Sequence, residues 1–302
     1  MRVSFSGHET FPLRSSWLKK AVDQVKLRPA IFADDDAIST FGVGKNMVRS
    51  IRHWAVLCGI IELQEASRSN FQVSELGDLL FDDNGWDPFM EDVGTAWLLH
   101  WQIVKQLEQA TLWSFLFGIY RSSNFDPTTL FPEIKQWLHQ QNISAPSEAT
   151  LKKDFLCLGS SYAPHSTPNK IEDSLQCPLS GIGLLVREGG ILYPSQKHKQ
   201  ALPPLVFCAI LVDFWSGPCD SSQTLTIEQI LRDDLSPGKA LFLSETEVYD
   251  YLSSLSENPD VPFLFDDTAG IKQLVRTNDE LSSSRILNLY YTSSLIENGV
   301  YV

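Results

Sequence analysis

Three consecutive carboxylates, Asp34, Asp35 and Asp36, stand just ahead of a group of cations, Lys45, Arg49 and Arg52 with His53 beside them, in the stretch FADDDAISTFGVGKNMVRSIRHW. Carboxylate oxygens together with water are the ligands that Mg²⁺ prefers. An ion of that kind beside a phosphate polarises it and can supply a hydroxide nucleophile. Arg and Lys neutralise phosphates, and Arg can also read guanine with two hydrogen bonds. Both groups have a plainer use. Asp satisfies free N–H groups at a helix start and complements the helix dipole, and a basic helix face is often only a solvated surface. Adjacent residues on a helix diverge, so at most two of the three acids would meet one ion, with another ligand from elsewhere.

GHET supplies His8 and Glu9. Histidine serves as a general base or a metal ligand, and Glu can ligate. A single His-Glu lacks the second His of a zinc-protease helix, and a turn with local hydrogen bonds is the competing reading. TFGVGKN is not a nucleotide-binding loop: Ser39 stands where the first Gly is required, and Asn46 where Ser or Thr must follow Lys45. Asp126, Glu133 and Lys135 mimic a nuclease spacing, but on a helical segment rather than on strands. Thr150, Lys152 and Lys153 are within reach of a phosphate, as surface side chains often are. Trp97, Trp101, Trp113 and Trp137 are read as core.

The elements that would position these groups follow from periodicity. SSWLKKAVDQVK is a helix that Ser16 can cap, with Trp17, Ala21 and Val25 on one face. DDDAIST starts with a capping Asp and reads as a short second helix, and Gly42 and Gly44 mark a turn. A third helix runs from Lys45 to about Cys58. Met47, Ile51, Trp54, Ala55 and Cys58 form its apolar back, and Lys45, Arg49 and Arg52 its basic front. Helix, short helix, Gly turn and amphipathic helix is the arithmetic of a helix-turn-helix. IIELQ and NFQVS then read as a hairpin, the wing of a winged helix, closed by SELGDLLF.

After Asp87-Pro88 the chain reads as helical. DPFMEDVGTAWLLHWQIVKQL lines Val93, Trp97, Trp101 and Val104 on one face, and SYAPHSTPNKIEDSLQCPLSGIG is irregular. From Leu202 come an almost wholly apolar helix, the helix LTIEQILRD, a helix opened by a capping box of Ser244 and Glu247, and a hairpin in PFLFDDTAGIKQLVR. The expected fold class is therefore mainly α (α+β). It has a winged-helix-like domain over 1–86, a helical middle over 87–200, and a second, acidic winged-helix-like unit over 201–302.

Composition bounds the function. The 302 residues carry a net charge of −13, 43% apolar residues and eight Trp, which suits a folded chain with a substantial core. Residues 1–56 hold nine Lys and Arg against five Asp and Glu, a balance of +4, which leaves −17 for the remainder. That asymmetry suggests an anion-facing end. No run of about 18 apolar residues points to a transmembrane helix. The start has no signal-peptide core. The five scattered cysteines form no C-x-x-C pair and are read as mostly buried cytoplasmic thiols.

FSGHETFPLRSSWLKKAVD and FGVGKNMVRSIRHWAVLCGII, with TLKKDF and EDSLQCPLSGIGLL, resemble the SspB-type family of bacterial single-stranded DNA phosphorothioation systems. The resemblance extends along nearly the whole chain. It implies a Mg²⁺-dependent DNA nicking endonuclease that opens one strand for sulfur incorporation, working with a cysteine desulfurase and associated sulfur-transfer proteins. On the matching motifs His8, Glu9, Lys45, Asn46, Arg49 and Arg52 are site candidates, and Asp34 to Asp36 join them on chemical grounds. The expected assignment is metal ligation by Asp34, Asp35 and Asp36, base or metal duty for His8 and Glu9, and DNA contact by Arg14, Lys45, Asn46, Arg49, Arg52 and His53. A non-catalytic winged-helix subunit that recruits the sulfur-transfer partners, and a protein-interaction scaffold, are the alternatives.

Overall fold

Apolar side chains at helical spacing make the first helix, α1 (Ser15–Leu27), bury Trp17, Leu18, Ala21, Val22 and Val25. The structure, a computed structural model, describes residues 3–65, 67–164, 177–195, 197, 199–217, 219, 222–268, 271–277 and 282–297. Over these residues the fold is mainly α-helical with small antiparallel sheets. The chain separates into two units, one of residues 1–116 with 120–200, the other of 117–119 with 201–302. Among the described residues no helix is long and apolar enough to cross a membrane.

In the first unit α1 packs on α3 (Lys45–Leu57), with the short α2 (Ala37–Phe41) between them in sequence. Gly42 stops α2 in the left-handed conformation, φ +66°, which glycine adopts without a steric cost. β1 (Ile61–Leu63) and β2 (Phe71–Val73) form the expected hairpin in the register Ile61↔Val73. α4 (Glu75–Phe81) follows, capped by the Ser74 hydroxyl, which accepts from the Gly77 N–H at 2.9 Å.

α5 (Val93–Lys105) is buried on all sides from Gly94 to Val104. It is accompanied by α6 (Thr111–Gly118), α7 (Pro127–Gln140), α8 (Glu148–Tyr162) and the short α9 (Pro178–Gly181). Trp97, Trp101 and Trp113 are core, whereas Trp137 is half-buried against Phe115.

The second unit is built around α10 (Pro204–Trp215), apolar all round and packed on α13 (Glu245–Leu255) and α14 (Ser283–Glu297). Its three-stranded sheet has the order β5-β7-β6, from β5 (Thr224–Thr226), β6 (Phe263–Thr268) and β7 (Ile271–Arg276). The Ser244–Glu247 capping box forms as read, and a second one, Thr226–Gln229, opens α11 (Ile227–Arg232), which α12 (Pro237–Ala240) follows.

Several local readings are corrected. Ser16 lies inside α1, and Arg14 takes the N-cap position without a side-chain cap bond. Asp36 sits at the N-cap of α2 but makes no cap bond there either, because a cation engages it instead. On α3 the buried stripe runs through Val48, Ile51, Trp54, Ala55 and Leu57, and Met47 is only partly covered. The long helix after Asp87 starts only at Val93, which is exposed, because Asp87 folds back to accept from the Glu91 and Asp92 N–H groups. LTIEQILRD begins as strand β5 and becomes helical only at Ile227. The middle region also contains an unforeseen hairpin, β3 (Leu185–Glu188) and β4 (Ile191–Pro194), turned by Gly189 and Gly190, both at positive φ. The segment SYAPHSTPNKIEDSLQCPLSGIG, expected to be irregular, is helical at its described ends, where Ser161 and Tyr162 close α8 and Pro178–Gly181 forms α9; residues 165–176 lie outside the described residues.

Gly77 is where α4 meets the hairpin. A Cβ there would stand 2.2 Å from the Ile60 carbonyl oxygen and 2.9 Å from Val73 Cγ1. Backbone cannot yield as a side-chain tip can. Gly77→Ala is therefore expected to lower the free energy of unfolding by about 2–3 kcal/mol in urea denaturation, the range of an overpacked core. A loss below about 0.5 kcal/mol, that of an ordinary surface change, would show that this contact does not constrain the fold.

Candidate nucleic-acid interface

Several cations of the first unit are engaged internally. Lys19 Nζ lies 2.6 Å from both Asp23 and Asp83, and Lys26 Nζ lies 2.6 Å from both Asp78 and Asp82. Arg28 reaches the acidic triplet, with Nη1 2.9 Å from Asp36 and 3.3 Å from Asp34, while its Nη2 donates to Thr40. Asp34 and Asp36 therefore brace an arginine, and Asp35 is exposed with no ion pair or hydrogen bond among the described residues. The three acids do not converge as a set. No group of three or more His, Cys, Asp and Glu side chains able to hold a metal occurs among the described residues.

The front of α3 is open. Lys45, Asn46, Arg49 and Arg52 are exposed, and Lys45 and Arg52 have no acidic partner among the described residues. Arg49 meets Glu9 at 3.4 Å, a loose and half-exposed pair worth little. α3 starts at Gly44 with no side-chain cap bond. Arg14, another expected contact, lies over the Trp17 ring at 5.5 Å, so its guanidinium is used in packing at the start of α1.

Glu9 is held on α3 by an unusual loop. Ser6, Glu9 and Thr10 all have positive φ (63°, 48° and 69°), and Thr is β-branched, so the backbone here is strained. The anchor is His8, 1% exposed. Its Nδ1 accepts from the Thr10 N–H at 3.0 Å, which places the proton of a neutral ring on Nε2, facing Asp154 Oδ1 at 3.1 Å. The same carboxylate oxygen accepts from the Ser6 N–H at 2.8 Å and the Ser6 hydroxyl at 3.1 Å. The His8 carbonyl in turn accepts from the Ser50 hydroxyl of α3 at 3.0 Å. The loop is clamped between α3 and α8, and both His8 ring nitrogens are occupied within it.

His53 does not join the basic front. It is largely covered, edge-on to Trp54 at 5.6 Å and to His8 at 6.2 Å, and Gly7 approaches so closely that a Cβ there would lie 2.5 Å from its Nδ1. Burial pushes its pKa down to about 3, and the neighbouring His8 and Arg52 add to the effect. The ring is neutral at pH 7. Cys58, Cys157, Cys177 and Cys208 are buried, and burial raises each pKa, for Cys177 and Cys208 to about 12; Cys219 is only partly covered, and partial burial with Asp233 raises its pKa as well.

Sequence reasoning noted the lysines of TLKKDF and passed over Asp154. The signal was present: Leu151, Asp154, Phe155 and Leu158 share one helical face, and a charge in an apolar stripe demands a partner.

The first unit thus presents an exposed cationic helix front beside a clamped, strained loop. The chain belongs to the family described as "Protein of unknown function (DUF4007)", whose pattern spans residues 5–291. Its fold is that of SspB. A "Magnesium ion-bound SspB crystal structure" is 24% identical, covering 99% of this chain and 91% of that one with a TM-score of 0.86. An "SspB crystal structure" is 25% identical over 97% and 89%, with a TM-score of 0.85. These likenesses bear out the SspB-type resemblance of the motifs. No curated protein matches the sequence.

Two outcomes test the clamp. Asp154→Ala strands three donors, and is expected to cost about 3 kcal/mol in urea denaturation and to expose residues 6–10 to limited proteolysis. The covered His53 gives a pH signature. Its folded pKa of about 3 lies below the ordinary 6.5, so as pH falls below about 6.5 the unfolded chain takes up a proton that the folded chain refuses. Stability should fall steadily between those two values, and His53→Gln should flatten that part of the profile. An unchanged slope would mean that His53 is solvated.

Proposed function

We propose that this protein is the DNA-nicking component of a DNA phosphorothioate modification system acting in bacterial defence. In this reading it is a Mg²⁺-dependent endonuclease that opens one strand so that sulfur can be incorporated. The observation that carries the proposal is the full-length likeness of fold to SspB, one of whose structures holds a magnesium ion. The partners are then DNA and the sulfur-transfer proteins of the system, a cysteine desulfurase and its associated subunits, and the compartment is the cytoplasm.

Within this reading residues 1–86 act as a winged-helix-like domain, with α3 as the recognition helix and the β1–β2 hairpin as the wing. Lys45, Asn46, Arg49 and Arg52 contact phosphates and base edges. Their exposure supports that role, as does the lack of an acidic partner for Lys45 and Arg52 among the described residues. The helical residues 87–200 hold the clamp from behind through Asp154. The acidic residues 201–302, a second winged-helix-like unit, repel phosphate within a Debye length of about 8 Å and face protein partners instead.

The acids do not fit a three-carboxylate magnesium set, since Arg28 occupies two of them. Mg²⁺ is commonly held by one or two carboxylates with water and substrate phosphates. Asp35, the uncommitted member of Asp34 to Asp36, is the candidate ligand beside a DNA phosphate. Glu9 is the candidate base, because it stands half-exposed at the α3 front. His8, with both nitrogens engaged, is assigned to holding the loop. Those engaged nitrogens and the dispersed acids favour one competing reading, a non-catalytic DNA-binding subunit that recruits the sulfur-transfer partners.

Supercoiled plasmid incubated with the purified protein separates the two. Relaxed circles that form with Mg²⁺ and vanish with chelator are expected, and DNA binding without relaxation would leave only the recruiting subunit. The triple change of Asp34, Asp35 and Asp36 to Asn should abolish relaxation while DNA affinity stays equal or rises. Changing both Arg49 and Arg52 to Glu should weaken binding to all sequences and reduce the slope of log K against log salt by about 2. Unchanged affinity in that folded variant would remove α3 as the DNA contact.

A further inference from the structure

Away from the residues of the α3 front, the first unit holds a cavity of about 400 Å³ between the first turn of α7, the exposed stripe of α8 and the β3–β4 hairpin. That volume lies within the ~300–1,000 Å³ typical of ligand pockets. Its apolar wall is formed by Phe131, Phe155 and Leu156; the two rings meet edge to face at 6.0 Å, and Leu156 is 47% exposed. Lys152 and Arg187 supply the charge. Lys152 is exposed without an ion pair among the described residues. Glu148, on the rim, is the one carboxylate lining the cavity, and Lys135 stands 3.9 Å from it.

Arg187 is the telling residue. It is half-buried, and among the described residues its guanidinium has one acceptor, the Ala163 carbonyl, at 3.1 Å from Nε. Among the described residues its Nη2 is buried without a hydrogen bond. The guanidinium lies on α8 at Gly159, where a Cβ would stand 2.0 Å from Nη2 and 3.0 Å from Cζ. Glycine inside a helix costs about 1 kcal/mol, so α8 gives up stability where the cation lies against it. Burial without a counter-charge lowers the Arg187 pKa. A partly desolvated cation with no acid is costly unless an anion completes it.

We propose that this cavity binds a phosphorylated nucleoside, its phosphate on Lys152 and Arg187 and its base against Phe131, Phe155 and Leu156. A phosphate offers a charge-assisted acceptor to both cations, for which a guanidinium is well shaped, and a planar base suits an aromatic and aliphatic wall. The nucleoside is either a free nucleotide or the 5′ end of a strand. The site shares no residue with the α3 front and does not rest on the nicking reading.

The test uses the full chain and a 5′-phosphorylated deoxydinucleotide with a 3′ fluorophore, followed by anisotropy against its 5′-hydroxyl twin. The phosphorylated probe should bind at least about tenfold tighter, the size of one good charge-assisted contact. Lys152→Glu should remove that preference and Leu156→Asp should weaken both probes. Both side chains are exposed, so thermal melting should stay as in the parent chain, and Arg49→Glu should leave the preference intact. Competition by a free deoxynucleoside monophosphate identifies a nucleotide site, and its failure to compete identifies a strand-end site. Equal affinity for the two probes overturns the proposal. So does a preference that survives Lys152→Glu, or displacement by an acidic aromatic peptide and not by any nucleotide.

Discussion

One carboxylate oxygen, Asp154 Oδ1, ties the N-terminal segment to the body of the first unit. It takes hydrogen bonds from the Ser6 N–H, the Ser6 hydroxyl and His8 Nε2, and the residue is 2% exposed. A buried carboxylate is tolerable only when its lone pairs are filled, and here the donors come from residues nearly 150 positions away in sequence, so satisfying Asp154 also determines the chain path. The path forces Ser6, Glu9 and Thr10 into positive φ, packs Gly7 on His53, and sets Glu9 beside Arg49. Hydrogen bonds of this number and burial can hold backbone strain that local propensity would release.

The second organising constraint is electrostatic. A chain of net charge −13 has few cations to spare, and Lys19, Lys26 and Arg28 are each engaged by two carboxylates. Exposed pairs of this kind add little stability individually. Their consequence is subtractive: they neutralise Lys19, Lys26 and Arg28, while Lys45 and Arg52 on the α3 front keep no acidic partner among the described residues. Lys45, Arg49 and Arg52 gather on one helix front, and a local field of that kind governs encounter with a polyanion more than net charge does.

The cations of the first unit fall into three physical states. Some are neutralised on the surface, as at Lys26. Some are free and solvated, as at Arg52. Arg187 is partly desolvated and lacks an acid among the described residues. The second state suits a salt-dependent grip on phosphates, and the third a contact with one defined anion, because desolvation raises both the cost of an empty site and the reward of a filled one.

Helix and hairpin positions in the N-terminal region were legible because they rest on local signals. Trp17, Ala21 and Val25 at four-residue spacing, the two glycines before Lys45, and the alternation flanking EASRS each specify structure within a few residues. The Ser244–Glu247 capping box is legible for the same reason, its partners being three positions apart. The exposure of Lys45, Arg49 and Arg52 follows from the same periodicity that buries Ile51 and Trp54. Side-chain partnership was not legible. Whether Asp36 caps its helix or holds Arg28, whether His53 points to solvent or under Gly7, and whether His8 keeps a free nitrogen all depend on groups brought near from distant parts of the chain. Local spacing cannot choose among competing partners of similar strength; the fold chooses by deciding which of them arrive, and by removing the water that would otherwise satisfy the rest.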